Sequence, residues 1–196
     1  RRVLRVFMPL VRRAYLSDKR QVLELASRTF SWGDYWPHYF DMWLQDRRVA
    51  VLVAEVDGRV AGVVYAKLRG DGVAWLGGIR VREGLRGRGV GLRLTEAALT
   101  LAREAGVHEA WLVTHGDNRP AVKLVEKLGF KPKLRYMRMS APPARGERPK
   151  LSSAPSEHGL PELYEMDFEW FKLTWERAAR FAEEGFLTEE GSATAG

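Results

Sequence analysis

The chain has 196 residues, carries a formal charge of +7 and contains no cysteine. That length suits one full domain with a sizeable core and an appendage; the missing thiols exclude a disulfide scaffold and thiolate chemistry, and they suit a cytoplasmic setting. Histidines at 38, 108, 115 and 158 have no metal-ligand spacing, no apolar stretch approaches the roughly 20 residues of a membrane helix, and the start "RRVLRVFMPLVRR" lacks a small-residue cleavage site. The expectation is a soluble chain without a metal. Its arginine-rich positive charge fits either a solvated basic surface or a polyanionic partner, nucleic acid or a phosphorylated cofactor.

Residues 10–14 read as a short strand. "SDKRQVLELASRTF" follows as a helix, with Ser17 or Asp18 as cap and Val22, Leu25, Ala26 and Phe30 at helical spacing. After the breaker "SWGDYWP", "HYFDMWLQD" reads as a second short helix. Two β-rich runs, "VAVLVAEV" and "RVAGVVYAKL", are joined by Asp57-Gly58, the two-residue signal of a tight hairpin. A third, "VAWLGGIRV" at 73–81, contains Gly77-Gly78, a pair suited to a bulge. The glycine loop "LRGRGVG" at 85–91 then opens a helix that Gly106 ends. "HEAWLVT" reads as a buried strand, "RPAVKLVEKLG" as a short helix and "FKPKLRYMRM" as a last strand. This succession predicts an α/β fold with helices on the faces of a sheet.

The loop is the chemical signal. Gly87, Gly89 and Gly91 alternate with Arg86, Arg88 and Val90, so successive backbone N–H groups at a helix N-terminus can meet a pyrophosphate. The dinucleotide fingerprint G-x-G-x-x-G fails at Leu92, and a P-loop fails for want of G-K-S or G-K-T. A plain glycine-rich turn with its arginines in solvent remains the alternative.

The residues "LGGIRVREGLRGRGVGLRLTEAALTLAREAG" and then "AWLVTHGDNRPAVKLVEKLGFK" carry an R-x-x-G-x-G loop followed by N-x-x-A-(x)6-L-G-F, with Asn118, Ala121, Leu128, Gly129 and Phe130. Over residues 10–139 the chain resembles the acetyl-CoA-dependent N-acetyltransferases of the GNAT superfamily. The resemblance implies a mixed, mostly antiparallel central sheet flanked by helices. It implies acetyl-CoA as cosubstrate, held by the backbone of Ile79, Arg80 and Val81, by the loop Arg86, Gly87, Arg88, Gly89, Val90, Gly91 and Leu92, and by Asn118. Lys123, Lys127 or Arg119 are then candidates to approach the adenosine phosphates. The tyrosine that many members carry four residues before the Gly of L-G-F is Val125 here, which cannot protonate a departing thiolate. His115, Tyr136 and Tyr65 are replacement candidates, and Glu55 and Glu83 are candidate general bases. The acceptor, a primary amine of a small molecule or of a protein or peptide, is expected beside Trp32, Asp34, Tyr35 and His38, with Trp36 and Tyr39 adding apolar wall.

The resulting domain expectation is a catalytic domain at 1–140, a linker at 141–160 rich in Pro, Ser, Gly and charge, and an aromatic extension at 161–196. The extension reads as a short extended piece followed by a helix from about Thr174 to Glu184. It is too short to fold alone and should pack on the main domain or on a partner subunit of a homodimer. "GDYWP" and "DFEWFKLT" also resemble a subgroup that includes histidine N-acetyltransferase, where a second, degenerate half follows the first. The competing functional classes are a coenzyme A-binding module that has lost catalysis, suggested by Val125, and a nucleic-acid binder, suggested by the charge. The latter lacks any basic-aromatic recognition motif.

Overall fold

The computed structural model describes residues 8–27, 29, 34–133, and the strands at 163–166 and 169–172. The chain divides into two compact units, Arg1–Phe130 and Lys131–Gly196. In the first, five strands lie in chain order: β1 (Leu10–Arg13), β2 (Val49–Val56), β3 (Arg59–Leu68), β4 (Val73–Val81) and β5 (Glu109–Trp111). The first four pair antiparallel, and β5 runs parallel to β4. Four helices accompany them, α1 (Lys19–Ser27), α2 (Trp36–Gln45), α3 (Val90–Glu104) and α4 (Arg119–Lys127). The second unit contains a two-stranded antiparallel sheet, β6 (Leu163–Met166) and β7 (Glu169–Lys172). The helix expected at 174–184, and most of the strand expected at 130–139, lie outside the described residues.

Local chemistry explains the joints. Asp57 and Gly58 both take positive φ, 48° and 73°, the handedness that lets a two-residue turn follow the twist of its strands. Helix α3 ends where Gly106 turns left-handed at φ 77°: its N–H bonds Arg103 O and that of Val107 bonds Ala102 O, both at 3.0 Å. Helix α4 ends the same way, Gly129 donating to Glu126 O and Phe130 to Val125 O. The L-G-F signature is thus a helix stop that turns Phe130 back onto the apolar core.

β2, β3 and the first half of β4 are almost wholly buried, which is why they read as continuous apolar runs. Leu52, Val64, Ala66, Ala74 and Leu76 meet Val90, Leu94, Ala98 and Ala102 of α3. Alternate residues supply the opposite face, where Trp36 and Phe40 of α2 and Val22, Leu25 and Ala26 of α1 are buried.

The strand expected from "HEAWLVT" is shorter and less buried than its sequence suggests. Only Glu109, Ala110 and Trp111 pair with β4, opposite Val73, Ala74 and Trp75. That short ladder is clamped by the buried Arg69, whose guanidinium lies 5.8 Å from the Trp75 ring and 5.4 Å from the Trp111 ring, and which is held in place by Asp71. Beyond it, residues 76–81 have no strand partner on the β5 side among the described residues.

At the other edge Arg12 ties β1 to the chain ahead of α1 and to β2. It donates to both Asp18 oxygens at 2.7 and 3.0 Å and to Glu55 Oε2 at 2.9 and 3.1 Å. Asp18 also accepts the Tyr15 N–H at 2.8 Å; neither it nor Ser17 is the expected N-cap, since both lie inside the 3₁₀ turn Leu16–Asp18, whose N-cap is Tyr15, and Asp18 reaches back to that residue's backbone. The Arg12 hydrogen bonds hold the Asp18 carboxyl below its usual range.

Two stability outcomes follow. Leu94→Ala, at a fully buried position, should cost about 2–5 kcal/mol in urea unfolding. Because the Asp18 pKa is depressed in the folded chain, its stabilisation is present above an unfolded value of about 3.9 and is lost as pH falls through the folded value. The stability gap between the parent chain and Asp18→Asn should therefore be constant near neutrality and close below about pH 4.

Candidate active site

The centre of β4 is where the sheet's pairing is interrupted. Val63 faces Arg80 and Tyr65 faces Gly77, so β4 spends one more residue than β3 across that interval, and Gly78 takes φ 66°. This is a bulge of the kind that re-aims a strand. Both glycines are also demanded by what packs on them. A methyl on Gly77 would lie 2.6 Å from the Tyr65 hydroxyl, and one on Gly78 would lie 2.8 Å from the Trp36 ring. Trp36 Nε1 donates to Gly78 O at 3.0 Å, fixing the first turn of α2 to the bulge.

Around that bond the aromatics form one cluster. Trp43 sits 4.2 Å from Tyr65 and 5.1 Å from Trp36 between ring centres, and Tyr39 stacks on Trp43 at 5.2 Å. Trp36 is wholly buried, whereas Tyr35 and Tyr39 keep 37% and 40% of their surfaces open. Of the expected acceptor wall, Trp36 is therefore core, while Tyr35 and Tyr39 present aromatic surface to solvent. His38 is exposed on the first turn of α2, and Trp32 lies outside the described residues.

Asp34 corrects the sequence reading. Instead of facing an acceptor amine, its side chain is 2% exposed and accepts the Arg80 Nε–H at 2.7 Å. Its other oxygen accepts the Trp36 backbone N–H at 3.1 Å. Arg80 is itself buried, donates to Ile79 O at 3.0 Å, and lies 5.5 Å from the Tyr35 ring centre. A carboxylate so enclosed has no surface left for a ligand. Removing either partner of such a pair strands the other charge, at a cost of about 3–5 kcal/mol. Burial raises the pKa of the Tyr35 phenol, against the lowering influence of the nearby Arg80 charge. No local pattern could have revealed the Asp34–Arg80 partnership across 46 residues.

The glycine loop follows a 3₁₀ turn at Glu83–Leu85. Gly87 and Gly89 take φ 73° and 84°, and a Cβ on either would meet nothing. Gly89 is the N-cap of α3, and the first helical bond is Arg93 N–H to Gly89 O at 3.0 Å. The N–H groups of 89–92 precede that bond and point out of the helix end. Gly91 has a different reason: a methyl there would press on Leu124 of α4 at 3.0 Å, so this glycine seats one helix on the other. Between loop and α4 opens a cleft of about 320 Å³, lined by Val81, Val90, Leu92 and Leu124 and charged by Arg86, Lys123 and Lys127. Of the three cations considered for phosphates, the two lysines line this cleft and Arg119 does not.

The other candidates stand apart. Glu55 is bound by Arg12 and sits two strands from β4, which removes it from the bulge as a base. Glu83 is exposed in the turn before the loop, and His115 is exposed after β5, its carbonyl accepting the Asn118 N–H at 3.0 Å. Asn118 caps α4 through Oδ1, accepting from Ala121 N at 3.4 Å. Tyr136 lies outside the described residues, Tyr65 is buried against Gly77, and Ile79 and Val81 are half-buried on the stretch of β4 that lacks a partner beyond β5 among the described residues. No group of His, Asp or Glu that could hold a metal occurs among the described residues, and no helix there is long and apolar enough to cross a membrane.

Known proteins share this architecture. The chain is 29% identical over 138 residues to an N-alpha-acetyltransferase of Sulfurisphaera tokodaii, covering 62% of this chain and 79% of that one. It is 34% identical over 80 residues to a mycothiol acetyltransferase of Thermomonospora curvata, covering 41% of this chain and 27% of the relative's length. Among solved structures, AAC(6')-Iy in complex with a bisubstrate analogue superposes with a TM-score of 0.58 at 22% identity, over 69% of this chain and 99% of that one. The ribosomal-protein-S18-alanine N-acetyltransferase of Escherichia coli does so at 0.57 and 22%, over 63% and 78%. Residues 19–130, more than half of the chain and spanning α1 to the end of α4, match the model of the acetyltransferase (GNAT) family, to which this chain belongs.

Proposed function

We propose that the chain transfers an acetyl group from acetyl-CoA to a primary amine of a small molecule, peptide or protein. The observation that carries this reading is the succession along one side of the first unit: a basic cleft under the amides at the start of α3, then the edge of β4 that has no strand partner among the described residues, then its bulge. Gly87 and Gly89 leave their backbone bare for a pyrophosphate, and the amides of 89–92 meet it at the positive end of the helix dipole. Lys123, Lys127 and Arg86 answer the remaining phosphate charge. Ile79 and Val81 offer main-chain groups to the pantetheine arm. Asn118, with Oδ1 engaged as a cap, offers its amide N–H groups.

When bound, acetyl-CoA supplies an activated acyl group that a neutral amine attacks directly, so the protein's task is placement and charge stabilisation. The bulge bends β4 at the point where that arm would reach the α2 face, next to the open surfaces of Tyr35 and Tyr39. Those rings and His38 are the acceptor wall in this reading, with Trp36 and Asp34 behind it as supports. The relatives are named as an N-alpha-acetyltransferase and a mycothiol acetyltransferase, which supports an amine panel spanning peptides and small molecules.

Release of free thiol from acetyl-CoA in the presence of an amine panel tests the reading; transfer to at least one amine is expected. Tight acetyl-CoA binding with no transfer to any amine would instead favour a binding module without catalysis, the reading that Val125 motivates. The loop assignment has its own test. Gly89→Asp, a residue type that tolerates the left-handed conformation, sets a carboxylate against the pyrophosphate. Its acetyl-CoA affinity by calorimetry should fall at least about tenfold, roughly 1.4 kcal/mol, while Gly89→Asn loses much less and both variants stay folded.

A further inference from the structure

Along one side of α2 the first unit leaves large apolar side chains in water. Tyr35, at the N-cap, and Tyr39 are exposed, and Met42 keeps 51% of its surface open. They recur at i, i+4 and i+7, the spacing that lines residues up on one helix face, and the stripe they make is about 10 Å long. A lone exposed apolar residue is ordinary, whereas a contiguous run beside a site marks something that binds there. This run begins at the bulge. The Tyr35 ring lies 5.5 Å from the Arg80 guanidinium and 6.5 Å from the Tyr65 ring, and Tyr65 reaches over Gly77. Tyr39 follows at 6.3 Å, stacked on the half-buried Trp43 at 5.2 Å. The carboxylates of this stretch are already engaged, Asp34 by Arg80 at 2.7 Å and Asp41 by Lys19 at 2.5 Å, so neither is left to answer a second positive charge on an acceptor.

We propose that the acceptor is the α-amine of an extended peptide or protein N-terminus whose first and third side chains are apolar and lie on Tyr35 and Tyr39, with Met42 meeting the fifth. This rests on the acetyltransfer reading above and names the class of amine that reading leaves open. The spacing supports it. An extended chain rises about 3.3 Å per residue and turns alternate side chains to one face, so same-face side chains recur at about 6.7 Å. The two tyrosine rings are 6.3 Å apart. A small polar amine would cover Tyr35 and leave Tyr39 and Met42 bare. The choice of α-amine follows from proton chemistry. Glu55, a candidate base in the sequence, is claimed by Arg12, which favours an acceptor that sheds its proton with little help. At pH 7 about a tenth of α-amines are neutral, against fewer than about one in a thousand lysine side chains.

The test is thiol release by the full chain from acetyl-CoA with four amines: a pentapeptide with leucine at its first, third and fifth positions and serine elsewhere, its all-serine counterpart, an N-formyl peptide whose one amine is a lysine side chain, and spermidine. The leucine peptide is expected to exceed each of the others in kcat/KM by at least about tenfold. Tyr39→Ala should raise its KM by about tenfold and erase the preference for leucine at the third position, with KM and calorimetric affinity for acetyl-CoA unchanged. Met42→Ser, at the open end of the stripe, is the second variant. It should keep the parent's Tm and raise KM for the pentapeptide while leaving a tripeptide of the same start unaffected, a split by peptide length that damage to the fold would not produce. The all-serine peptide, the lysine peptide or spermidine used as well as the leucine peptide overturns the proposal and leaves the transferase reading intact. Parent values of KM in both variants do the same. Binding of acetyl-CoA with no thiol released to any amine removes both readings at once.

Discussion

The ion pair between Arg80 and Asp34 is the constraint on which the rest of the site depends. Two charges withdrawn from water are tolerable only when each is fully answered, and here each is: Asp34 takes Arg80 on one oxygen and the Trp36 N–H on the other, while Arg80 also reaches the Ile79 carbonyl. The pair stitches the chain ahead of α2 to the second half of β4. Trp36 adds a neutral stitch beside it through the Gly78 carbonyl. Together they let β4 leave regular pairing at its bulge without unravelling, and they set Tyr35 and Tyr39 at its margin.

Steric demands converge on the same few residues. Gly77 and Gly78 must be glycine for the aromatics above them, and Gly78 also for its left-handed backbone. Gly62 on β3 is similarly crowded, since a methyl there would lie 2.8 Å from the Arg80 carbonyl and 3.0 Å from Leu94 and Val90. Arg80 is therefore fixed from two directions, by the Asp34 carboxylate on its side chain and by close approach of Gly62 across the sheet to its carbonyl. A site built on such a crossing holds its geometry without a ligand's help.

What was legible in the chain was local. Asp57-Gly58 announces its hairpin, and Gly106 and Gly129 announce their helix ends, because each demand is satisfied within a few residues. The loop and the Asn118 to Phe130 signature were readable for the same reason, and they carried the family. Contacts between distant segments were not readable. Gly91 gave no sign that it also seats Leu124 of α4, Asp34 looked like a substrate contact until Arg80 covered it, and Glu55 looked like a base until Arg12 claimed it. "HEAWLVT" has the composition of a buried strand, yet its pairing stops at Trp111 where β4 begins to diverge. Composition records a residue's taste for burial, and only the assembled sheet decides where pairing stops.

The clamp of Arg69 between Trp75 and Trp111 gives that divergence a mechanical meaning. All three residues of β5 pair with the start of β4, and among the described residues the chain then leaves the sheet while β4 runs on to Val81, like the arms of tweezers fixed at the handle. A small rotation where the rings meet the guanidinium becomes a larger displacement farther along β4, toward its bulge. The spacing available to a slender ligand between the arms is thereby set far from where the ligand would lie, by how flat a pair of indoles sits against one cation.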